Sequence, residues 1–199
     1  MLASIVLYLV LPDNLIFLKP RWTLPVLEAL LLVPIVLTNA SDRWRHASWK
    51  RPTFMVLVAL ASAANIISLA LLVHYLPGAP AKEAKNLLVA AVEIWLTNVI
   101  VFGLWYWELD RGGPIARLGA EHPEPDFLFP QMSNPKSAPG NWNPSFLDYL
   151  YVSFTNATAF SPTDTMPLTE WSKLLMMAQS LASLLTIGLV GARAVNILK

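Results

Sequence analysis

Residues 153–175, with the sequence SFTNATAFSPTDTMPLTEWSKLL, bring together hydroxyl side chains, small residues and one aspartate in a stretch that contains two prolines. Hydroxyl and carbonyl oxygens and rings of carboxylates are the groups that line cation pathways through membranes. Pro162 prevents a helix from continuing through the middle of the stretch. An aromatic-rich segment precedes this turn and a long apolar run follows it, so the chain around the turn must hold it in position.

The residue types needed for a metal, redox or hydrolytic site are missing or widely spaced. The chain has no cysteine, and its histidines, His46, His74 and His122, are too far apart for a local set of metal ligands. No nucleophile and base stand at a usable spacing, so we expect neither an enzyme nor a cofactor. A formal net charge of +1 gives no general attraction for nucleic acid.

Composition indicates a membrane protein. Hydrophobic residues make up 55% of the chain, charged residues 14%, and the mean hydropathy is +0.50. Soluble domains typically carry about 25% charged residues. We therefore expect a multi-pass, all-α membrane protein.

Four apolar runs are long enough to cross a bilayer, which takes roughly 17–25 residues. They are residues 23–39, 53–76, 87–107 and 172–198. Residues 1–18 are also apolar but are interrupted by Pro12, Asp13 and Asn14, so a helix lying in the membrane interface is expected there. The sequence thus predicts four transmembrane helices.

Residues 109–145 are rich in proline and glycine and predict an extramembrane loop, with Glu108, Asp110 and Arg111 at the headgroup level. The loop has too few apolar residues for a core of its own and should pack on the ends of the helices. Residues 146–158 then predict a helix of about 20 Å, too short to span. A re-entrant half-helix fits that length, and the TAFSPTD segment after it should line a cavity or a subunit interface.

This part of the sequence resembles the pore domain of tetrameric potassium channels and their bacterial relatives. In that family a pore helix ends in a small residue and threonine, and T-V-G-Y-G-D, a proline, a tryptophan and a basic residue follow. Ala157 and Thr158 fall on the end of the pore helix without a gap. The five filter positions are occupied by Ala159, Phe160, Ser161, Pro162 and Thr163, and the following matches in type are Asp164, Pro167, Trp171 and Lys173.

The resemblance covers residues 86–198 and implies a division of the chain. Residues 1–85 would form an interfacial segment and two scaffold helices, and residues 86–199 a pore-like domain. That domain would contain an outer helix, the extracellular loop 109–145, a pore helix 146–158, a filter-like loop 159–167 and an inner helix 170–198. The resemblance also implies a homotetramer in the plasma membrane.

The departures from the family fall on the filter itself. Filter glycines allow left-handed backbone that turns carbonyls toward one axis, whereas Ser161 and Thr163 carry a Cβ. Pro162 fixes φ and removes a donor, and Ala159 removes a ring of hydroxyls. We therefore expect no potassium-type carbonyl ladder, but a wider hydroxyl-lined constriction or one plugged by Phe160.

Two functions from different classes remain open. In the first, four copies place four Asp164 carboxylates around an axis, and monovalent cations pass with weak or altered selectivity. In the second, the chain is a non-conducting structural or interaction protein that keeps the pore-domain scaffold. Partners in either case are further copies of the chain and the lipid bilayer.

The inner helix carries two sets of candidate residues. Gln179, Ser183 and Thr186 recur at helical spacing, and this polar stripe faces either the axis or neighbouring helices. The family frame instead puts an apolar set toward the cavity as a wall or gate, with the usual hinge position at Ser183. That set is Leu184, Ile187, Gly191 and Val195, and Gly188 and Gly191 either bend the helix or permit close packing.

Charged side chains at Glu28, Glu93 and Arg193 lie within predicted spans. A charged side chain without a partner inside a membrane span costs roughly several kcal/mol of free energy, so pairing is expected. We predict that Arg193 pairs with Glu93 or Glu28, as a structural brace or as a gate latch.

Overall fold

The described part of the chain is mostly helical. A computed structural model describes residues 1–17, 19–20, 22–27, 29–30, 49–118, 124–134, 142–158 and 164–197, with the backbone alone for residues 81–85 and 194–197. The helices with defined bounds are α1 (Leu2–Val10), α2 (Lys50–Tyr75), α3 (Ala81–Leu109), α4 (Pro130–Ser133), α5 (Phe146–Thr158) and α6 (Glu170–Ile197). Residues 23–27 and 29–30 are helical as well.

Three helices of the described residues are long and apolar enough to cross a membrane. They cover Lys50–Tyr75, Asn86–Gly112 and Glu170–Arg193. They coincide with the second, third and fourth runs predicted above, so the chain is a helical membrane protein. The predicted first span, at 23–39, falls largely on residues 31–48, which lie outside the described part, and stays a prediction.

The contacts divide the chain into two compact units. Unit one contains Met1–Thr97 and Thr186–Lys199, and unit two contains Asn98–Leu185. In unit one, α1 is only 9 residues long, too short to span a bilayer. A short 3-10 helix at Asp13–Leu15 follows it and contacts α2, where the Ser68 hydroxyl donates to the carbonyl of Leu15 at 3.0 Å.

In unit two, the short helix α5 packs against α3 at a glycine. A Cβ on Gly103 would lie 3.3 Å from both the Cα and the Cδ1 of Leu150. Because the Cα belongs to the backbone of α5, it cannot turn aside as a side chain does. Gly103 therefore permits the close approach of these two helices.

The loop between α3 and α5 contains more structure than the sequence predicts. Strand β1 (Phe127–Leu128) pairs antiparallel with strand β2 (Met166–Pro167), with Phe127 opposite Pro167. Phe127 and Phe129 are buried in one cluster with Tyr106, Tyr149 and Val152. The described part of the loop thus adds two aromatic rings to the core that the helices of unit two form.

Replacing Gly103 with valine should destabilise unit two. The branched side chain meets the backbone of Leu150, and overpacking of this kind costs about 1–3 kcal/mol. The measurement is the free energy of unfolding in mild detergent. Gly188→Val in α6, where a Cβ meets nothing within 4 Å, is the matched control and should change stability little. Equal losses in the two variants would contradict the close approach.

Candidate functional site

The candidate site is the connection between α5 and β2, in unit two. Thr158 is the last residue of α5 and is half-buried, and Asp164 is exposed to solvent. The filter positions between them lie outside the described residues; they are Ala159, Phe160, Ser161, Pro162 and Thr163. What the structure does describe is how both ends of this connection are fastened.

Local signals fix the beginning of α5. Pro144 and Ser145 precede the helix, and the Asp148 carboxylate accepts hydrogen bonds from the backbone N–H and the hydroxyl of Ser145, both at 2.7 Å. An acid in the first turn also interacts favourably with the helix dipole. The helix therefore starts at Phe146, and its bounds are those predicted from the sequence.

A buried amide on α6 holds the second half of α5. The Oε1 atom of Gln179 accepts hydrogen bonds from the Tyr106 hydroxyl at 2.6 Å and from Asn156 Nδ2 at 2.8 Å. Its Nε2 atom donates to the carbonyl and the hydroxyl of Ser153, at 2.9 and 2.7 Å. Gln179 is completely buried, so these bonds form away from water.

The bonds around Gln179 continue to all three helices. The Ser153 hydroxyl donates to the carbonyl of Val99 in α3 at 2.6 Å. Asn156 donates to the carbonyl of Met176 in α6 at 2.9 Å and accepts from the Ser180 hydroxyl at 3.0 Å. These contacts, together with Tyr106 and Gln179, form what we call the amide cluster. It fastens the last two turns of α5 to α3 and α6.

A second cluster surrounds Asp110, directly after α3. The Asp110 carboxylate is fully buried and accepts from the Tyr149 hydroxyl at 2.5 Å and from the backbone N–H groups of Asp126 and Phe127 at 2.8 and 3.3 Å. The Arg111 Nε atom lies 3.6 Å from the same carboxylate. Asp110 thus joins α3, α5 and β1 as a buried, hydrogen-bonded carboxylate, and its position at the headgroup level stays a prediction.

A sharp turn follows Asp110 and directs the chain toward β1. Arg111 has φ of 50°, and Gly112 and Gly113 have φ of 76° and 100°. A non-glycine residue is uncommon in this left-handed region, and here its backbone N–H is held by Asp126 Oδ2 at 2.9 Å. The glycine pair therefore ends α3, as predicted, and turns the chain toward β1.

Arg117 caps the C-terminal end of α3. Its Nη1 atom donates to the carbonyls of Trp107 and Asp110, at 2.6 and 3.0 Å. Its guanidinium carbon lies 5.1 Å from the centre of the Tyr149 ring. Arg117 thereby satisfies carbonyls that the end of a helix leaves without partners and covers the ring of the Asp110 cluster.

Asp126 fastens the other end of the connection. Its Oδ1 atom accepts from the Thr169 hydroxyl at 2.8 Å, and its backbone carbonyl accepts from the N–H of Leu168 at 2.8 Å. The Thr169 hydroxyl in turn caps the backbone N–H of Ser172 in the first turn of α6. Together with the β1–β2 pair, these bonds fix the chain directly after Asp164.

On α6 the two candidate sets separate cleanly. Gln179, Ser183 and Thr186 are buried, so the polar stripe faces the interior of the chain rather than an open surface. The apolar set is exposed where it is described: Leu184 is 62% and Ile187 is 39% exposed. Gly188 and Gly191 are exposed as well, and the side chain of Val195 lies outside the described residues.

The predicted ion pair of Arg193 with Glu93 is wrong. Arg193 Nη2 instead donates to the backbone carbonyl of Ala79, in the turn between α2 and α3, and Glu93 Oε2 has no hydrogen-bond partner in the described part of the chain. The carbonyl accepts from one nitrogen of the guanidinium without supplying a counter-charge. The alternative partner, Glu28, lies outside the described residues.

Sequence reasoning identified Gln179 but missed most of its partners. Tyr106, Tyr149, Ser153 and Asn156 lie 20 to 73 positions from their partners across the helices. The available signal was the presence of polar side chains inside otherwise apolar helices, since such groups must find partners in a bilayer. That signal names the residues but not their partners.

Comparison of the chain with protein-family models, with curated proteins and with solved structures found no match.

Replacing Gln179 with leucine should lower the free energy of unfolding by roughly 3 kcal/mol, because the change leaves several buried donors and acceptors without partners. Thermal or denaturant unfolding of the purified protein in mild detergent measures this. Ser180, the next residue along α6, makes a single hydrogen bond to Asn156, so Ser180→Ala should lower the free energy of unfolding by no more than about 1 kcal/mol. If the two variants lose the same amount, the amide cluster is not what fastens α5.

Stability above pH 10 should depend on Tyr149. Burial raises the pKa of the Tyr149 phenol above its ordinary value of 10.0, and the negative charge of Asp110 raises it further. Because the folded pKa is the higher one, the contribution of Tyr149 is complete below pH 10 and is lost as the pH rises further. The wild type should lose up to about 1.4 kcal/mol more per pH unit than Tyr149→Phe above pH 10.

The measurement is the free energy of unfolding in detergent between pH 9 and 11.5, roughly the range over which an unfolded tyrosine ionises. Tyr151→Phe, on the exposed side of the same helix, is the matched control and should keep the wild-type slope. A Tyr149→Phe protein with that same slope would show that the phenol is not held in its neutral form by the Asp110 cluster.

Proposed function

We propose that the chain is a potassium-channel-like pore protein, passing cations with weak or altered selectivity as a homotetramer in the plasma membrane. One observation carries this proposal: a helix of 13 residues lies between two membrane-spanning helices and is fastened to both. At 1.5 Å per residue, α5 is roughly 20 Å long, whereas the hydrocarbon core is about 30 Å thick. The chain after α5 must therefore return from inside the membrane or from its edge.

Returning backbone needs water or protein around it. Lipid cannot satisfy the N–H and carbonyl groups of non-helical chain, so such segments occur where they line a water-filled cavity or a protein interface. Residues 159–163 begin at the fastened end of α5, and Asp164 follows them on an exposed position. A pore loop meets these requirements, because its polar groups face the water of the pathway.

The exposed side of α6 supports assembly around such a pathway. Only 17% of the apolar stretch of α6 is buried within the chain, against 56% for α3. The residues that the potassium-channel frame directs to a cavity, including Leu184 and Ile187, lie on this uncovered side. Further copies of the chain would cover α6 while leaving an apolar cavity wall.

Cation preference follows from charge rather than from a carbonyl ladder. Four copies would place four Asp164 carboxylates near one axis, and a ring of one sign attracts and concentrates cations. Ser161, Pro162 and Thr163 replace the glycines and the aromatic residue of a potassium filter, so strong discrimination between monovalent cations is not expected.

The test is cation flux into liposomes that contain the purified protein. We expect flux above that of empty vesicles, and Asp164→Asn should lower it by about threefold or more at low ionic strength. The difference should shrink in high salt, because salt screens the carboxylate ring. Glu124→Gln, which removes an exposed acid before β1 in the same unit, is the matched control and should leave the flux unchanged.

The absence of flux at every voltage and pH would overturn the proposal. The scaffold would then belong to a non-conducting structural or interaction protein. Flux that is unaffected by Asp164→Asn would contradict the part of the proposal that assigns cation attraction to this carboxylate.

A further inference from the structure

A groove of about 430 Å³ lies in unit two, where α3 ends and α6 begins. Its lining is mostly aromatic and aliphatic, from Trp105, Leu109, Phe127, Trp171 and Leu175, with Ser172 and the charged Asp126 as its polar residues. Nothing in the pore-loop account uses this groove. Trp171 is 76% exposed, so its ring is available at the rim.

The charge of Asp126 makes the groove more than an apolar surface. Its two carboxylate oxygens accept hydrogen bonds from neutral donors, the Thr169 hydroxyl at 2.8 Å and the backbone N–H of Arg111 at 2.9 Å. The Arg111 guanidinium is directed elsewhere, toward the Asp110 carboxylate and the Met132 sulfur. Among the described residues no lysine, arginine or histidine forms an ion pair with Asp126.

An unpaired carboxylate beside indole rings is suited to an organic cation. The faces of tryptophan rings attract ammonium groups, and aromatic cages of this kind recognise quaternary ammonium ligands. A carboxylate without a counter-charge also attracts a cation placed beside it, by Coulomb interaction. The groove thus offers an alkylammonium group both aromatic ring faces and a negative charge.

The position of the groove identifies the source of that cation. Leu109 ends one spanning helix, and Trp171 is in the first turn of another, so the groove lies at the end of two membrane spans. Tryptophans at such ends sit at the headgroup level of the bilayer. The ammonium groups that are abundant at this depth belong to zwitterionic phospholipids.

We propose that the groove formed by Trp105, Phe127, Trp171 and Asp126 binds the ammonium headgroup of a zwitterionic membrane phospholipid, with Asp126 as its counter-charge. Leu109 and Leu175 provide the apolar wall against which the upper part of the lipid packs. Because Asp126 also fastens the chain after Asp164 through Thr169, an occupied groove stabilises the same end of the candidate pore loop.

The test is native mass spectrometry of the intact purified protein in a non-ionic detergent, after removal of bound lipid. Phosphatidylcholine, phosphatidylethanolamine and phosphatidylglycerol with the same acyl chains are added at equal concentrations. We expect adducts with the first two, each reduced about tenfold by Asp126→Asn and also by Trp171→Leu. Phosphatidylglycerol, which has no ammonium group, should bind weakly and be unaffected by Asp126→Asn.

Controls separate binding from folding. Thr169→Val removes the hydrogen bond that the Thr169 hydroxyl donates to the Asp126 carboxylate. The charge of the carboxylate stays, so phosphatidylcholine binding should survive. Trp22→Leu, at an exposed tryptophan in unit one, should leave every adduct unchanged. If Asp126→Asn does not fold, Trp171→Leu still tests the site, because its side chain is mostly exposed.

Three outcomes of the adduct measurements would overturn the proposal. They are equal binding of phosphatidylglycerol and phosphatidylcholine, unchanged adducts in both site variants, and a loss in Thr169→Val as large as that in Asp126→Asn. A competition with dodecyltrimethylammonium separates the sources: displacement of phosphatidylcholine supports the site, whereas binding of the free amphiphile alone excludes a lipid occupant. None of these readouts requires conduction, so they stand apart from the flux test.

Discussion

The side-chain amide of Gln179 determines where the short helix α5 lies in unit two. It is completely buried, and its oxygen and nitrogen are both hydrogen-bonded, to Tyr106, Asn156 and Ser153. A polar group left unpaired in such an interior costs far more than a paired one gains, so alternative positions of α5 are disfavoured. The geometry is specific because an amide offers donors on one side and an acceptor on the other. Helix α5 is thus located by hydrogen bonds as well as by close packing at Gly103.

The Asp110 cluster and Asp126 hold the chain that follows residues 159–163. Asp110 joins the end of α3 to Tyr149 and to the backbone of β1, while Asp126 joins β1 to Thr169 before α6. The connection is therefore held at its beginning by groups of α3 and α6, and at its end by Asp126 and Thr169, which lie outside these two helices. In the proposed pore, the width of the constriction then depends on the residues between the fastened ends and on the number of copies around the axis.

The helices could be predicted from the sequence because their signals are local. Length and apolar content located three of the spans, and Ser145 with Asp148 marked the beginning of α5. Gly112 and Gly113 correctly indicated the end of α3, where they adopt positive φ.

The tertiary contacts could not be predicted in the same way. The hydrogen-bond donors to the Asp110 carboxylate lie 16 to 39 positions away, and the β1–β2 pair has only two residues in each strand, too few for a recognisable pattern. Arg193 was assigned to Glu93 or Glu28 because charge alone was considered, whereas a backbone carbonyl at Ala79 accepts a hydrogen bond from its guanidinium. Sequence periodicity also left open which way the polar stripe of α6 faces, and burial of Gln179 and Ser183 resolves this.

The central claim is that residues 159–164 of several copies surround one axis. The chain contains no cysteine, so Asp164→Cys places a single spin label at the edge of the connection. Pulsed dipolar spectroscopy of the reconstituted protein then measures distances between copies. Four-fold symmetry predicts two distances in a ratio of about 1.4, the side and the diagonal of a square. A single distance, or no distance between copies at all, would contradict the account.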